Sequence, residues 1–351
     1  MGWDVGGAHL KVAALDENGQ LRIAQEPCPL WLGVAQLQSA LTRLDRGMSR
    51  IPGCQHVITM TGELADCFPS RQAGVKTLTT LMQQHLTPDP VLFFDGSENF
   101  LDVTQALIHW ERLASANWMA TARWVNRFLP DALLVDIGST TTDIITLRDG
   151  SIRTRGYSDE ERMRYDELLY TGVVRTPLMA LTRRIPHAGE WMTVMAEHFA
   201  TTADVYRLTG ELTEAVDQSP AADGGEKTLT GSARRLARML GAEMESFPLD
   251  YWQMNARFWR ERQLERILAA LERQLSRDGW PADAPLTGIG IGRFLVQDCA
   301  SRLRRPYRDI NDFFPPCVST PAFSAADCAP AAALACLTSP RITGFADDDP
   351  N

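Results

Sequence analysis

Asp4-Val-Gly-Gly-Ala-His-Leu-Lys11 and Asp136-Ile-Gly-Ser-Thr-Thr-Thr-Asp143 are two versions of one pattern, and this pattern determines the predicted fold. In each version an apolar run ends in Asp-x-Gly, and a second apolar run leads to a turn, Asn18-Gly19 or Asp149-Gly150. Asn-Gly and Asp-Gly turns between apolar runs predict β-hairpins. Two copies of one hairpin in a single chain are most simply explained by a duplicated structural unit.

Each predicted hairpin carries groups that bind a phosphate and a metal ion. Backbone N–H groups at a turn without bulky side chains donate to anionic oxygens, and a neighbouring carboxylate holds a hydrated Mg²⁺. The predicted residues of the two hairpins are Asp4, Gly6, Gly7 and Lys11, and then Asp136, Gly138, Ser139, Thr140, Thr141 and Asp143. Aligning the repeats places Lys11 opposite Asp143, so the second hairpin carries more of the carboxylate.

A third glycine-rich stretch, Gly288-Ile-Gly-Ile-Gly292, follows a predicted strand and precedes a helix that begins at Arg293. Glycines at such a turn let a ligand approach the backbone, and a helix N-terminus favours negative charge. Taken alone this signal is weak, because glycine-rich strand ends are common. As the third element after two phosphate hairpins it gains weight, and we include Gly290 and Gly292 in the predicted phosphate site.

Length and composition suggest two domains and exclude some classes of partner. A chain of 351 residues exceeds one ordinary core, so we predict a first domain at 1–130 and a second at 131–340. The second domain is predicted to contain an inserted substrate region at about 158–230, and 341–351 is predicted to be a disordered tail. The net charge of −9 argues against a broad nucleic-acid-binding surface, so phosphate affinity must come from local groups.

The chain has no sequence feature of an exported or membrane protein. It begins without a basic segment and apolar run typical of a signal peptide, and no stretch approaches the roughly 20 apolar residues that span a bilayer. Seven cysteines without a C-x-x-C pair predict neither a zinc site nor a disulfide framework. We therefore expect a cytoplasmic enzyme without a membrane partner, and its oligomeric state is left open.

Apolar periodicity and turn residues predict the remaining elements. Strands are predicted at 56–60, 91–94, 133–137, 142–147 and 286–291. Helices are predicted at 33–44, 74–85, 103–128, 187–206, 231–240, 251–275 and 324–337. This alternation of strands and helices is typical of an α/β protein.

The order of the two hairpins and the glycine-rich turn resembles the superfamily that contains actin, the heat-shock chaperone ATPases and the sugar and acetate kinases. This resemblance implies two ribonuclease-H-like domains around a central cleft. It also implies that Asp4 and Asp136 lie at a Mg²⁺ ion, with Asp143 as a further metal ligand and a catalytic carboxylate. The turn at Gly288–Gly292 lacks the adjacent glycine pair that the superfamily uses for adenosine, so ATP is the less favoured ligand.

A closer resemblance lies in short runs spread over nearly the whole chain. They are Gly2-Trp-Asp-Val-Gly-Gly-Ala8, Thr61-Gly-Glu-Leu64, Val135-Asp-Ile-Gly-Ser-Thr-Thr-Thr-Asp-Ile144, Gly172-Val-Val-Arg-Thr-Pro177, Phe199-Ala-Thr-Thr-Ala-Asp-Val205 and Arg234-Arg-Leu-Ala-Arg238. They resemble the hydantoinase/oxoprolinase-related proteins of tetrahydromethanopterin-linked one-carbon metabolism. The resemblance implies a Mg²⁺-dependent transferase that joins a furanmethyl diphosphate to the phenol of a tyramine or tyrosine unit. Diphosphate would be released, and the product would be a methanofuran-type cofactor precursor.

Within this reaction, five residues receive roles, and each has a structural alternative. Glu63 is the predicted general base for the phenol, or else a carboxylate at a helix start. Lys11 would add positive charge to the diphosphate clamp, or face outward from its strand. Arg175 would grip diphosphate, or form a surface ion pair. Asp204 and Asp223 would bind the amine of a substrate, or cap local turns.

Two rival functions remain open from the sequence. The first is an ATP-using enzyme, either a small-molecule kinase or an ATP-dependent amidohydrolase. Micromolar binding of Mg·ATP would favour it, whereas binding of diphosphate without ATP would favour the transferase. The second is a non-catalytic, nucleotide-dependent assembly or chaperone-like module, which nucleotide-driven partner binding would support.

Overall fold

The computed structural model describes residues 1–47, 53–97, 99–277, 279–319 and 323–339. The predicted tail, 341–351, lies outside these residues. Contacts divide the chain into two compact units. Unit 1 contains Met1–Pro130, Leu147–Arg153 and the described residues from Ile310 onward, and unit 2 contains Asp131–Thr146 and Thr154–Asp309.

The strands of the described residues are β1 (Gly2–Val5), β2 (His9–Leu15), β3 (Leu21–Pro27), β4 (His56–Met60), β5 (Val91–Phe94), β6 (Phe100–Leu101), β7 (Ala132–Ile137), β8 (Thr142–Arg148), β9 (Ser151–Ile152), β10 (Leu168–Leu169), β11 (Arg184–His187), β12 (Glu190–Thr193), β13 (Leu286–Ile289), β14 (Tyr307–Asp309) and β15 (Cys317–Ser319). The α-helices are α1 (Ala35–Gly47), α2 (Arg71–Leu86), α3 (Val103–Ile108), α4 (Trp110–Leu113), α5 (Asn117–Val125), α6 (Asp159–Arg164), α7 (Thr202–Thr209), α8 (Leu229–Met239), α9 (Leu249–Leu275), α10 (Arg293–Leu303) and α11 (Ala329–Leu337).

The sheet of unit 1 has the strand order β15-β3-β2-β1-β4-β5-β6. The first three strands of the chain form an antiparallel meander, because tight turns at 6–8 and 16–20 join them. β4 runs parallel to β1, and β5 runs parallel to β4. The ends of these three parallel strands therefore meet at one edge of the sheet, which is where ligands bind in open α/β sheets.

The sheet of unit 2 repeats this arrangement with the path β10-β8-β7-β13-β14. β7 and β8 form the second hairpin, β13 runs parallel to β7, and β14 runs parallel to β13. In both sheets an antiparallel pair is followed by two further strands parallel to its first member. This repeat confirms the predicted α/β fold with two ribonuclease-H-like halves. The predicted cleft between the domains stays a prediction.

The end of the described chain belongs to unit 1, although the sequence placed everything from 131 to 340 in one domain. The alanine-rich helix α11 packs against β1, β2, β4 and α5 of that unit. A Cβ atom at Gly2 would lie 2.1 Å from the carbonyl oxygen of Ala331, so this packing requires glycine in β1. Small side chains on both surfaces allow the close approach. The predicted end of the second domain is therefore corrected to Asp309.

Two predicted helices differ in the structure. The stretch 103–128 contains three helices, α3 to α5. His109, with φ of −105° and ψ of 38°, ends α3. Ser115 separates α4 from α5, because its left-handed φ of 53° does not fit an α-helix. The stretch 187–206 contains the strand β12, an irregular segment and the start of α7. There the Ala188-Gly189 turn, with φ of 51° and 85°, closes a β11–β12 hairpin. The helix predicted from the apolar spacing does not form, because these positive φ angles do not fit a helix. Other elements agree closely, and 56–60 and 91–94 match β4 and β5.

Among the helices that the structure describes, none combines the length and apolar character needed to cross a membrane.

Candidate functional site

The turn between β7 and β8 is held in place by its own carbonyl groups. The N–H of Gly138 donates to the carbonyl oxygen of Thr141 at 2.9 Å and closes the turn. The carbonyl oxygens of Gly138 and Ser139 accept three hydrogen bonds, of 3.0, 3.1 and 2.8 Å, from the amides of 173–175. In a trans peptide the C=O and the following N–H point in opposite directions. The N–H groups of Ser139 and Thr140 therefore point away from 173–175, as an anion-binding turn requires.

Side chains add hydroxyls and a cation to this turn. The Ser139 Oγ lies 3.4 Å from the Thr140 Oγ1, and the Arg175 Nη1 lies 3.4 Å from the same Thr140 oxygen. Burial lowers the pKa of the Arg175 guanidinium, which nevertheless keeps its charge at neutral pH. The structure thus brings together, within unit 2, the predicted turn and the predicted arginine. We call 138–141 with Arg175 the phosphate turn, after the ligand predicted for it from the sequence.

Asp136 lies at the end of β7, where the glycine-rich stretch packs against it. Gly290 has a φ of 77°, and a Cβ atom there would lie 2.4 Å from the Asp136 Oδ1. The N–H of Gly292 donates to the carbonyl oxygen of Ile137 at 2.9 Å, and a Cβ on Gly292 would overlap the Ile137 side chain. Both glycines therefore have a packing reason to be glycine. Their role in binding phosphate stays a prediction.

Arg293 begins α10 and is bonded to the glycine-rich turn. Its Nη1 donates to the carbonyl oxygen of Gly290 at 2.9 Å, and its Nε lies 3.1 Å from the Asp309 Oδ2. The arginine thus connects the glycine-rich turn to the end of β14. Its position directly after the turn was a usable signal, but its partner Asp309 depends on the sheet order.

Asp143 lies on β8 in an ion pair with Arg162. The Asp143 Oδ1 accepts from the Arg162 Nη1 at 2.7 Å, and the same guanidinium donates to the carbonyl oxygen of Glu167 at 3.0 Å. Burial raises the pKa of the Asp143 carboxyl, and the charge of Arg162 opposes this rise. The predicted roles of Asp143 as catalytic residue and metal ligand stay predictions, and either would have to share the carboxylate with Arg162.

No group of three or more His, Cys, Asp or Glu side chains within the described ranges is placed to hold a metal ion. The described residues therefore form no site in which three or more such side chains surround the ion, but a metal held by fewer protein ligands is a different case. Mg²⁺ usually keeps several waters and is bound through one or two carboxylates together with substrate phosphates. A single aspartate beside a phosphate turn suits that mode, and Asp136 has this position in unit 2.

The first hairpin presents the corresponding turn in unit 1. The N–H of Gly6 donates to the carbonyl oxygen of His9 at 3.0 Å and closes the turn. Beside it, a Cβ atom at Gly7 would meet nothing within 4 Å, so this part of the turn is open on its outer face. The carbonyl oxygen of Gly7 accepts from the N–H of Leu30 at 3.0 Å, which ties the turn to the segment after β3.

Asp4 is 4% exposed and has polar neighbours on three elements. In the sheet register it stands opposite Lys11 of β2 and Thr59 of β4. Residues opposite each other in a sheet point to the same face, so the side chains of Lys11 and Asp4 share one face of the sheet. The role of Lys11 in a diphosphate clamp stays a prediction. The Asn117 Nδ2, at the start of α5, lies 3.5 Å from the Asp4 Oδ1. Asn117 was missed, because nothing local in the sequence pairs it with Asp4.

Glu63 is fully buried in the turn after β4. Its Oε1 accepts from the Ser115 Oγ at 3.0 Å and lies 3.3 Å from the Arg71 Nη2. Arg71 also donates to the Ser115 Oγ at 2.6 Å, so each of the three side chains is hydrogen-bonded to the other two. A general base must come within hydrogen-bond reach of the substrate proton. The role of Glu63 as base stays a prediction.

Asp204 and Asp223 both form ion pairs with Arg235. The Arg235 Nε donates to the Asp204 Oδ1 at 2.8 Å, and its Nη1 donates to the Asp223 Oδ1 at 3.0 Å. Arg235 and Asp204 are 1% and 2% exposed. Asp204 also accepts from the N–H of Thr201 at 3.1 Å and caps α7, the alternative considered from the sequence. Binding of a substrate amine by either carboxylate stays a prediction.

Residues 55–331 match the family model of hydantoinase/oxoprolinase, well over half of the chain. The chain therefore belongs to the hydantoinase/oxoprolinase family, as the short runs in its sequence predicted.

Two members with known names are similar to this chain. The (4-{4-[2-(gamma-L-glutamylamino)ethyl]phenoxymethyl}furan-2-yl)methanamine synthase of Methanocaldococcus jannaschii is 31% identical over 246 residues, which are 70% of this chain and 72% of that protein. The synthase of the same name from Methanococcus vannielii is 34% identical over 120 residues, which are 34% of this chain and 54% of that protein. These similarities to named synthases show that the chain is an enzyme.

Among solved structures, component A of the (R)-2-hydroxyglutaryl-CoA dehydratase of Acidaminococcus fermentans is similar to this chain with a TM-score of 0.42. The sequence identity is 10%, and the match covers 96% of this chain and 95% of that one.

Proposed function

We propose that this enzyme is a Mg²⁺-dependent transferase that forms an aryl ether from a furanmethyl diphosphate and the phenol of a tyramine or tyrosine derivative. Diphosphate is the second product, and the ether is a precursor of a methanofuran-type cofactor. The observation that carries the proposal is the phosphate turn beside Asp136, in a chain 31% identical to a named synthase. The name of that relative's product contains a phenoxymethyl group on a furan, which is an ether between a phenol oxygen and a furan methylene.

The reaction makes one carbon–oxygen bond and breaks another. The phenol oxygen bonds to the furan methylene, and its proton passes to a base or to water. The bond between the methylene and the diphosphate oxygen breaks, and its electron pair leaves with diphosphate. Negative charge therefore grows on the leaving group, and groups that stabilise this charge lower the barrier.

The residues of unit 2 suit this leaving group. The N–H groups of Ser139 and Thr140 would donate to diphosphate oxygens, and Arg175 would add a charge-assisted contact. Asp136 would hold Mg²⁺, which supplies neutralisation of the growing charge when it is bound. Within unit 1, the paired positions of Asp4 and Lys11 put a carboxylate and a cation next to the first turn.

Diphosphate is a better-supported ligand than ATP. The glycines of the third motif pack against Asp136 and Ile137, so their presence needs no adenosine. The Arg293 side chain also lies against this turn, because its Nη1 donates to the carbonyl oxygen of Gly290. A site that binds diphosphate requires anion-binding amides and a metal ligand, and the residues proposed for both belong to unit 2.

The proposal is tested by incubating the protein with the furanmethyl diphosphate, Mg²⁺ and one acceptor at a time. The acceptors are γ-glutamyltyramine, tyramine and tyrosine. We expect equal amounts of diphosphate and ether, measured by a coupled diphosphate assay and by mass spectrometry, and loss of both on addition of EDTA. No diphosphate above background with any acceptor would contradict the proposal. Turnover that requires ATP would instead favour an ATP-using enzyme.

A further inference from the structure

A buried glutamine in the middle of the long helix α9 lies at the centre of a polar network in unit 2. The Tyr206 hydroxyl donates to the Gln263 Oε1 at 2.6 Å. The Gln263 Nε2 donates to the Thr171 Oγ1 at 2.9 Å and to the carbonyl oxygen of Gly172 at 3.0 Å. Tyr206, Gln263 and Thr171 have no exposed surface. Burial holds the pKa of Tyr206 well above its ordinary value, so its hydroxyl stays a donor and fixes the orientation of the amide.

The two peptide groups that flank Gly172 have hydrogen bonds to both their carbonyl oxygens and their N–H groups. Its carbonyl oxygen also accepts from the Thr202 Oγ1 at 2.8 Å and from the Thr176 Oγ1 at 3.1 Å. Its N–H donates to the Thr176 Oγ1 at 2.8 Å. Just before it, the carbonyl oxygen of Thr171 accepts from the Thr142 Oγ1 at 2.7 Å. Satisfied buried networks of this kind fix one local conformation.

Gly172 lies directly beneath the phosphate turn. A Cβ atom at Gly172 would lie 2.4 Å from the carbonyl carbon of Ser139 and 2.5 Å from the N of Thr140. No side chain has room between them, so the Ser139–Thr140 peptide rests on the Gly172 backbone. The three residues that follow Gly172 donate the amide bonds that orient the turn. The position of Gly172 therefore sets the direction of the N–H groups of Ser139 and Thr140.

We propose that Gln263 is a positioning residue for the phosphate turn. By holding Gly172, it keeps the N–H groups of Ser139 and Thr140 in the direction that receives diphosphate. The nature of the ligand rests on the proposed function, but the coupling of Gln263 to the turn does not. An apolar side chain would fill this place in the helix without the cost of burying an amide, so packing alone does not call for glutamine.

Gln274 provides a matched control on the same helix. It is 2% exposed, and its Nε2 donates to the carbonyl oxygen of Tyr165 at 2.7 Å. Gln263→Met and Gln274→Met therefore remove the same kind of buried amide from one helix, with one partner beneath the phosphate turn and the other at the end of α6. We expect both variants to lower the melting temperature to a similar extent.

The deciding measurement is hydrogen–deuterium exchange of peptides that cover 138–142. We expect faster exchange there in Gln263→Met than in Gln274→Met and the wild type. We also expect the Kd for Mg·diphosphate, measured by calorimetry, to rise about tenfold in Gln263→Met alone, the effect of roughly one lost hydrogen bond. Equal exchange at 138–142 in the two variants would overturn the proposal.

The two arms separate this inference from the proposed function. If the wild type binds no Mg·diphosphate, the diphosphate function fails, and exchange at 138–142 still decides the role of Gln263. If Gln263→Met does not fold, Tyr206→Phe takes its place, because it removes only the hydroxyl that orients the amide. We expect that variant to speed exchange at 138–142 in the same direction by a smaller factor, and unchanged exchange would overturn the proposal.

Discussion

Asp4 and Asp136 are equivalent in the two repeats, but each has different partners. Asp4 stands beside Lys11 on the neighbouring strand, and the residue aligned with Lys11 in the second repeat is Asp143. The sequence alignment therefore predicted that the second hairpin carries more of the carboxylate. In the structure the Arg162 Nη1 lies 2.7 Å from the Asp143 Oδ1. A cationic side chain is therefore present at the corresponding position of both units, from Lys11 in one and from Arg162 in the other. Asp136 is then the carboxylate of unit 2 with the clearest position for a metal.

Asp136→Asn tests this assignment, since the amide keeps the shape of the side chain and loses its charge. We expect diphosphate release to fall on the order of 100-fold, the usual effect of removing one charge-stabilising group. Asp149→Asn is the control, because Asp149 is exposed in the turn at the far end of β8 and asparagine tolerates its φ of 51°. Full activity of Asp136→Asn would exclude a role for this carboxylate in holding the metal.

Glu63→Gln decides between a base and a structural carboxylate. Because Glu63 is buried with Arg71 and Ser115, we expect the variant to lose about 1–3 kcal/mol of unfolding free energy, measured in urea. We expect the pH dependence of turnover to keep its shape. A variant with wild-type stability, little turnover and no rise of rate with pH would instead support Glu63 as the general base.

At the scale of elements, local signals predicted most of the fold and the long-range partners were missed. The two hairpins, β4 and β5 follow from turn residues and apolar runs, which act over a few positions. The single helix predicted at 103–128 is wrong at two points, and one of them, Ser115, is hydrogen-bonded to Glu63, which lies 52 residues away in the sequence. The candidate site likewise contains residues that local sequence predicts and residues that only tertiary contacts reveal. The turn residues 138–141 were predicted together, whereas Gln263 is recognisable only through its contacts with Thr171 and Gly172.

The glycine-rich turn offers a prediction with a matched control. Gly290 and Gly150 both have positive φ, 77° and 66°, but only Gly290 lies against Asp136. Gly150→Ala should cost roughly 1–2 kcal/mol of unfolding free energy from the backbone alone. We expect Gly290→Ala to cost more and to raise the Mg²⁺ concentration needed for half-maximal turnover. Equal Mg²⁺ requirements in the two variants would show that the turn does not position Asp136.

At the scale of the whole molecule, the chain consists of two units built on the same strand order, and it returns to the first unit at the end of its described part. The helix α11 packs on β1, whose end carries Asp4 and the first turn. No local pattern predicted this return, because an alanine-rich helix could pack on either sheet. The contact at Gly2 explains it, since only glycine lets the helix backbone approach so closely.

Binding of diphosphate should stabilise the folded molecule. A ligand at 100 times its Kd adds about 2.7 kcal/mol to the free energy of unfolding. We therefore expect Mg·diphosphate to raise the melting temperature in a concentration-dependent way, in calorimetry or dye-based unfolding. Mg·ATP at the same concentration should raise it less. A larger shift with Mg·ATP would favour the ATP-using alternative over the transferase.

In the proposed reaction the furan methylene carbon is the attacked atom and diphosphate is the leaving group. The most direct test uses furanmethyl diphosphate that carries 18O at the oxygen joining the methylene to phosphorus, with γ-glutamyltyramine and Mg²⁺. Mass spectrometry then locates the label in the products. We predict that all of the label leaves with diphosphate and that the ether contains none, because the bond from carbon to oxygen breaks. Label retained on the furan product would mean that the oxygen–phosphorus bond breaks, and this result would exclude attack at the furan methylene carbon.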